Sequence, residues 1–164
     1  MNNSKKIVLI GHFGVGKSSL VRRYVQNTFT DNYMVTIGVH IVKKEIQLNQ
    51  KSITLIIWDI EGKDDIKKVR ASYLIGTSGF IYVVDPTRPQ TYEHITSEIN
   101  FITTQYPKAK YLTVANKSDL IEPEEIKRLF DSLQIKIDYF ASAKSGDEVS
   151  SVFENLAQQL LDNV

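Results

Sequence analysis

The sequence predicts an α/β fold: a doubly wound, six-stranded, mostly parallel sheet flanked by five helices, in a single domain over residues 1–164. Two observations carry this. Short apolar runs alternate with stretches of helical periodicity along the whole chain, the pattern of strand–helix–strand units. Some of these runs, such as Phe80-Ile81-Tyr82-Val83-Val84, are continuously apolar rather than alternating, as strands covered on both faces must be.

Lys6–Ile10 is the first strand, and a glycine-rich turn follows it. Lys17–Asn27 reads as a helix whose apolar stripe is Leu20, Val21, Tyr24 and Val25. Thr28–Gly38 is a polar loop, long for a compact domain, and such length points to a working segment. Val39–Leu48 and Ser52–Ile60 form a hairpin around Asn49-Gln50-Lys51. Its first arm alternates like an edge strand, where Lys43-Lys44 would oppose sheet extension; its second holds the continuous run Leu55-Ile56-Ile57-Trp58 of an inner strand. A short helix lies near Lys67–Leu74, and Gly79–Asp85 is another inner strand. Pro89 suits the first turn of a helix running to about Tyr106. Tyr111–Ala115 and Ile135–Phe140 are the last strands, with a helix over Glu122–Leu133 between them. The final helix, Asp147–Leu161, has the apolar face Val149, Val152, Phe153, Leu156 and Leu160.

Composition excludes several classes. Lys and Arg number 20 against 19 Asp and Glu, a formal net charge of +1, so no single-sign field points to nucleic acid or an anionic membrane. The absence of cysteine rules out disulfides and thiolate metal sites. His12, His40 and His94 are too scattered to suggest a metal cluster. The apolar run Ile7–Ile10 is too short for a secretory core, and no stretch reaches transmembrane length. Asn2 stands where myristoylation needs glycine, and prenylation needs a C-terminal cysteine. The expectation is a cytoplasmic, unanchored monomer.

The chemistry concentrates at the ends of the strands. Gly11-His12-Phe13-Gly14-Val15-Gly16-Lys17-Ser18 is a G-x-x-x-x-G-K-S loop with a strand behind it and a helix ahead. Such a loop wraps a polyphosphate with backbone N–H groups, and the helix N-terminus behind it favours an anion. The candidate contacts are Gly11, Phe13, Gly14, Val15, Gly16, Lys17, Ser18 and Ser19, with Lys17 reaching the β- and γ-phosphates and the Ser18 hydroxyl ligating Mg²⁺. Asp59, at the end of the third strand, can hold Mg²⁺, and Gly62 lets a backbone N–H approach a γ-phosphate. Asn116-Lys117-Ser118-Asp119 follows the fifth strand. Asp119 can accept from the N1 and N2 donors of guanine, which adenine lacks in that geometry. Asn116 can stitch the loops together, and the Lys117 stem can lie along sugar and base. Ser142-Ala143-Lys144, after the sixth strand, can offer a backbone N–H to the guanine O6.

These four stations, in this order, resemble the small GTPases of the Ras superfamily over essentially the whole chain. The resemblance is strongest to the Rab branch, carried by Thr36-Ile37-Gly38-Val39, Trp58-Asp59, Ser72-Tyr73, Gly76 and Gly79. It implies the P-loop NTPase architecture, GTP/GDP and Mg²⁺ as cofactors, and switching between two nucleotide states. Thr36 would join Mg²⁺ and meet the γ-phosphate, Phe29 would pack on the guanine, and Tyr33 would cover the phosphates. Lys17, Thr36, Gly62 and Lys63 fall on the positions that serve hydrolysis. Effectors would engage the two switch loops, with exchange and GTPase-activating factors as further partners. Ile41 replaces an aromatic common in Rab proteins, so Rab effector preferences do not carry over directly.

Three departures surround the γ-phosphate position. The family's D-T-A-G-Q-E is here Asp59-Ile60-Glu61-Gly62-Lys63-Asp64. Lys63, in place of the water-orienting glutamine, can donate but not accept. Glu61, in place of alanine, can repel the triphosphate, join the metal shell or turn outward to Lys63. Phe13 puts a ring where an arginine finger would enter. The expectation is nucleotide binding with slow GTP hydrolysis; the alternative is a GTP-binding interaction module with little or none. A P-loop kinase lacks support, since no acceptor-binding lid is evident.

Overall fold

A computed structural model describes residues 3–32 and 35–163. Among them a single sheet runs in the order β2-β3-β1-β4-β5-β6. Its strands are β1 Ser4–Ile10, β2 Val39–Leu48, β3 Lys51–Ile60, β4 Gly79–Val84, β5 Lys110–Ala115 and β6 Tyr139–Phe140. Only the β2–β3 pair is antiparallel; the others pair in parallel. The α-helices are α1 Lys17–Gln26, α2 Ala71–Leu74, α3 Ile95–Gln105, α4 Pro123–Ser132 and α5 Val149–Asp162. This is the expected α/β architecture.

Alternation along the inner strands divides the core in two. Ile7 and Leu9 of β1, with Ile81 and Val83 of β4, face the α5 side chains Val152, Phe153 and Leu156. Val8, Ile10, Phe80, Tyr82 and Val84 face the opposite way, onto Ile95 and Ile102 of α3 and Ile126 and Phe130 of α4. A helical layer on each face is what a parallel sheet requires. The α5 face Val149, Val152, Phe153, Leu156 and Leu160 is buried as its periodicity predicts. On β3 Ile53, Leu55, Ile57, Asp59 and Ile60 are buried, while Ile56 and Trp58 stay half-covered. That strand is therefore half-open where its continuous apolar run suggested full cover.

Other boundaries shift for identifiable reasons. The hairpin turn is the two residues Asn49-Gln50, both at positive φ, and Lys51 already pairs with Leu48. Pro89 opens a 3₁₀ turn, Pro89–Thr91, rather than a long helix. The Thr91 hydroxyl bonds back to the Asp85 and Arg88 carbonyls, so the chain re-enters helix only at Ile95. The segment expected as a short helix is a 3₁₀ turn, Ile66–Lys68, followed by α2. The last strand shrinks to Tyr139–Phe140 because the Asp138 carboxylate accepts the Thr113 N–H at 2.8 Å, displacing a ladder bond by a side chain.

Among the described residues, no helix is long and apolar enough to cross a membrane. The sheet order reverses beside β1, and the carboxyl ends of β1, β3, β4 and β5 open on one rim, where ligands of such folds sit.

Candidate functional site

A cavity of about 350 Å³ opens at that rim. Its wall includes Phe13, Gly14, Gly16, Lys17, Ser18, Ser19, Phe29, Thr36, Gly62, Asn116, Lys117, Asp119, Ala143 and Lys144. Tyr33 lies outside the described residues.

The glycine-rich turn is shaped by close approach. Gly16 sits at φ +99°, and a Cβ there would lie 2.2 Å from Asn116 Nδ2. Asn116 Nδ2 donates to the Val15 carbonyl at 2.9 Å, while its Oδ1 accepts from the Ala143 N–H at 3.1 Å. One buried amide thus ties the first station to the last. The Val15 side chain belongs to the core, so this residue offers the cavity only backbone. The N–H groups of Gly14, Val15 and Gly16 donate to no described residue. Helix α1 starts next to them without a side-chain cap. Together these form a concave set of donors for an anion.

Lys17 is 6% exposed, and its ammonium donates to the Gly11 and His12 carbonyls at 3.1 and 2.9 Å. Burial pushes its pKa down to about 8, against the pull of Asp59. The loop carries a desolvated cation whose hydrogen bonds go only to neutral carbonyls, an arrangement that favours an arriving anion.

Asp59, at the end of β3, is 3% exposed. Its Oδ2 accepts from the Ser18 hydroxyl, which lies 2.6 Å from the Thr36 hydroxyl. Asp59 Oδ1 is buried and accepts no hydrogen bond among the described residues. Burial raises this carboxyl above its ordinary pKa, opposed by the Ser18 bond and by the charge of Lys17. Convergent hard oxygens around an unsatisfied buried carboxylate fit Mg²⁺ or a water on it. No group of three or more His, Cys, Asp or Glu that could hold a metal stands among the described residues, so phosphate and water oxygens would have to complete the shell.

Gly62 is packed so tightly that a Cβ would lie 2.5 Å from the Phe13 nitrogen. Its neighbours turn away from the cavity. Lys63 pairs with Glu61 at 2.8 Å, and both side chains are about one-third exposed. The Lys63 N–H donates to the Gly11 carbonyl at 3.2 Å. Of the three postures open to Glu61, the structure has the pairing with Lys63. Phe13 stands at the cavity edge, 48% exposed.

On the far wall, Lys117 adopts a left-handed conformation at φ 60°, and its ammonium lies 2.9 Å from Asp85 Oδ2. Burial pushes the Asp85 carboxyl upward, but the Thr87 hydroxyl and Lys117 outweigh it and hold the pKa low. Asp119 Oδ1 accepts from the Ser142 hydroxyl at 2.7 Å. Ser142 is itself buried, so it orients Asp119 rather than lining the cavity. The Ser142 N–H goes to the Asp147 carbonyl and the Ala143 N–H to Asn116. In that trio the Lys144 amide alone has no acceptor among the described residues.

Sequence reasoning missed several supports. Arg23 donates to the Ala143 and Lys144 carbonyls at 2.8 and 2.6 Å, pinning the last station to α1. Arg88 donates to the Phe13 carbonyl at 2.6 Å. Arg22, Thr30, Asp31, Asn32 and Leu120 also line the cavity. Asp85 left a local signal, a carboxylate just past a strand, whereas Arg23 and Arg88 act across long sequence separations.

The model of the Ras family matches residues 6–162. The chain is 34% identical to "Ras-related protein Rab-1" of Theileria annulata, over 97% of this chain and 75% of that protein. It is equally similar to the protein of the same name from Theileria parva. It is 35% identical to "Ras-related protein Rab-1A" of Dictyostelium discoideum, over 94% of this chain and 79% of that one. With the Ras family matching nearly the whole chain and relatives about one-third identical along it, the chain belongs to the Ras family of small GTPases, near the Rab branch.

Proposed function

We propose that this chain binds GTP and GDP with Mg²⁺ in the rim cavity and hydrolyses GTP slowly. The observation that carries the reading is the position of Lys63: it occupies the family's glutamine position, yet its ammonium is tied to Glu61 outside the cavity wall. A lysine cannot accept a proton or hydrogen bond from an attacking water, so the step that glutamine assists lacks its helper.

The remaining residues have roles consistent with tight binding. The free N–H groups of Gly14, Val15 and Gly16 and the α1 N-terminus receive phosphate oxygens, with Gly11 forming the start of the turn. Lys17 supplies a desolvated positive charge to the β- and γ-phosphates. Ser18 and Thr36, with Asp59 behind them, hold Mg²⁺, which neutralises charge on the transferring phosphoryl group when bound. The Ser19 amide adds to the phosphate cradle, and the Gly62 N–H faces the γ-phosphate. Asp119 reads guanine N1 and N2, held in place by Ser142. The free Lys144 amide, rather than that of Ala143, is the donor suited to O6. Phe29 flanks the base and Lys117 lies along the sugar.

Single-turnover GTP hydrolysis, with Mg²⁺ and then with EDTA, tests the reading. Slow hydrolysis that Lys63→Gln accelerates supports it, and fast hydrolysis by the unaltered protein overturns it. The second reading, an interaction module with little hydrolysis, draws on Phe13, which crowds the side of the loop an activating arginine would use. GTP found in protein purified without added nucleotide favours the module, and GDP favours the slow enzyme.

A further inference from the structure

Glu61 makes more contacts than a salt bridge requires. Its backbone N–H donates to the Gly38 carbonyl at 2.9 Å. Its carboxylate returns the bond, Oε2 accepting from the Gly38 N–H at 3.2 Å. Its other oxygen, Oε1, holds Lys63 at 2.8 Å. Gly38 closes the first polar loop, at the entrance to β2, and Glu61 and Lys63 lie at the start of the second, which begins where β3 ends at Ile60. The Lys63 backbone in turn donates to the Gly11 carbonyl of the phosphate turn. A chain of bonds therefore runs from the end of the first loop, through one carboxylate, to the second loop and the phosphate turn.

We infer that Glu61 is a positioning residue that latches the C-terminal end of the first switch loop to the second, so that Gly38 stays docked whether or not a γ-phosphate is present. Alanine, the residue common at this position in related proteins, could supply the backbone bond but neither side-chain bond. In a switch whose loops are held only by the γ-phosphate, both relax together when it is lost. Here one junction between the loops rests on contacts internal to the chain. The carboxylate receives charged and neutral donors at once, which strengthens both bonds relative to a neutral acceptor. The latch also restrains Lys63, since an ammonium held by Glu61 is kept from the cavity. The consequence for switching rests on the guanine-nucleotide reading above; the latch itself does not.

Amide hydrogen exchange at Gly38, followed by NMR on the full chain, tests this. The protein is measured as purified, then with Mg²⁺ and GDP, then with Mg²⁺ and a non-hydrolysable GTP analogue. The Gly38 amide of the unaltered protein should exchange at rates within about twofold across the three samples. Glu61→Ala should speed that exchange about tenfold in the GDP sample. Glu61→Gln should fall between, because its amide oxygen still accepts from Gly38 while Lys63 is released. Equal Gly38 exchange in the unaltered protein and Glu61→Ala overturns the latch, as does protection that appears only with the triphosphate analogue. If neither nucleotide shifts the spectrum, the nucleotide reading has failed. The as-purified comparison with Glu61→Ala then still decides the latch.

Discussion

Glu98 offers a quantitative test of the fold beneath the second switch loop. This α3 carboxylate is 7% exposed. It accepts the Ile66 N–H at 3.0 Å and the Tyr82 hydroxyl. Burial is the main force on it, pushing its pKa from an ordinary 4.5 up to about 7; the Ile66 N–H opposes this, while Asp65 and Asp64 add to it. Between pH 4.5 and about 7 the folded protein holds a proton there that the unfolded chain has released. The folded state binds more protons in this window, so this group's contribution to stability is greatest below pH 4.5 and falls as pH rises through about 7. The gap is worth about 3 kcal/mol at pH 8. Glu98→Gln cannot ionise, yet its carbonyl keeps an acceptor for Ile66 and its NH₂ can donate to the Tyr82 oxygen. Urea unfolding at pH 5, 6, 7 and 8 should find the variant more stable by about 2–3 kcal/mol at pH 8, with the difference shrinking to under about 1 kcal/mol at pH 5. A difference that does not change with pH, or a variant less stable at pH 8, would refute the reasoning.

Four further outcomes follow from the site. Asp119→Ala should weaken GDP binding about 10- to 100-fold by fluorescence titration, the cost of leaving two guanine donors unpaired. Ser18→Ala should erase most of the difference in GDP dissociation rate between Mg²⁺ and EDTA, because it removes a proposed metal ligand while leaving the proposed base pocket intact. Lys63→Gln should raise single-turnover GTP hydrolysis at least about tenfold, and the increase should be larger with Glu61→Ala, where no carboxylate holds residue 63 away from the cavity. Arg23→Ala should lower stability by about 1–2 kcal/mol in denaturant unfolding and speed GDP release, since both carbonyls of the last station lose their donor.

Most of the fold, and the residues gathered around the rim cavity, were legible because their signals are local. Strands β1 and β4 are short apolar runs, and α5 repeats its apolar residues at helical spacing, so their existence and buried faces follow from nearest neighbours. The phosphate turn declares itself through glycines and Lys17 within eight residues of sequence, Gly11 to Ser18. What stayed hidden depends on partners far along the chain. The shortness of β6 comes from Asp138 taking the Thr113 amide, and the break after Pro89 comes from Thr91 turning back to Asp85. Neither residue is unusual until its partner is in place.

The sequence by itself therefore determined the doubly wound α/β order, the strand-end stations and the three departures around the γ-phosphate position, since each is a matter of residue type and spacing. Only the tertiary structure decided what those departures do to one another. Glu61 could have faced metal, phosphate or lysine; the approach of Gly38 at the mouth of β2 and of Lys63 beside it selects the last, because that posture satisfies both carboxylate oxygens. The same holds for Glu98, an ordinary helical glutamate in sequence, whose burial between α3, β4 and the Ile66 turn raises its pKa. Charges interact through space in a medium that folding creates, so their roles emerge only once distant segments meet.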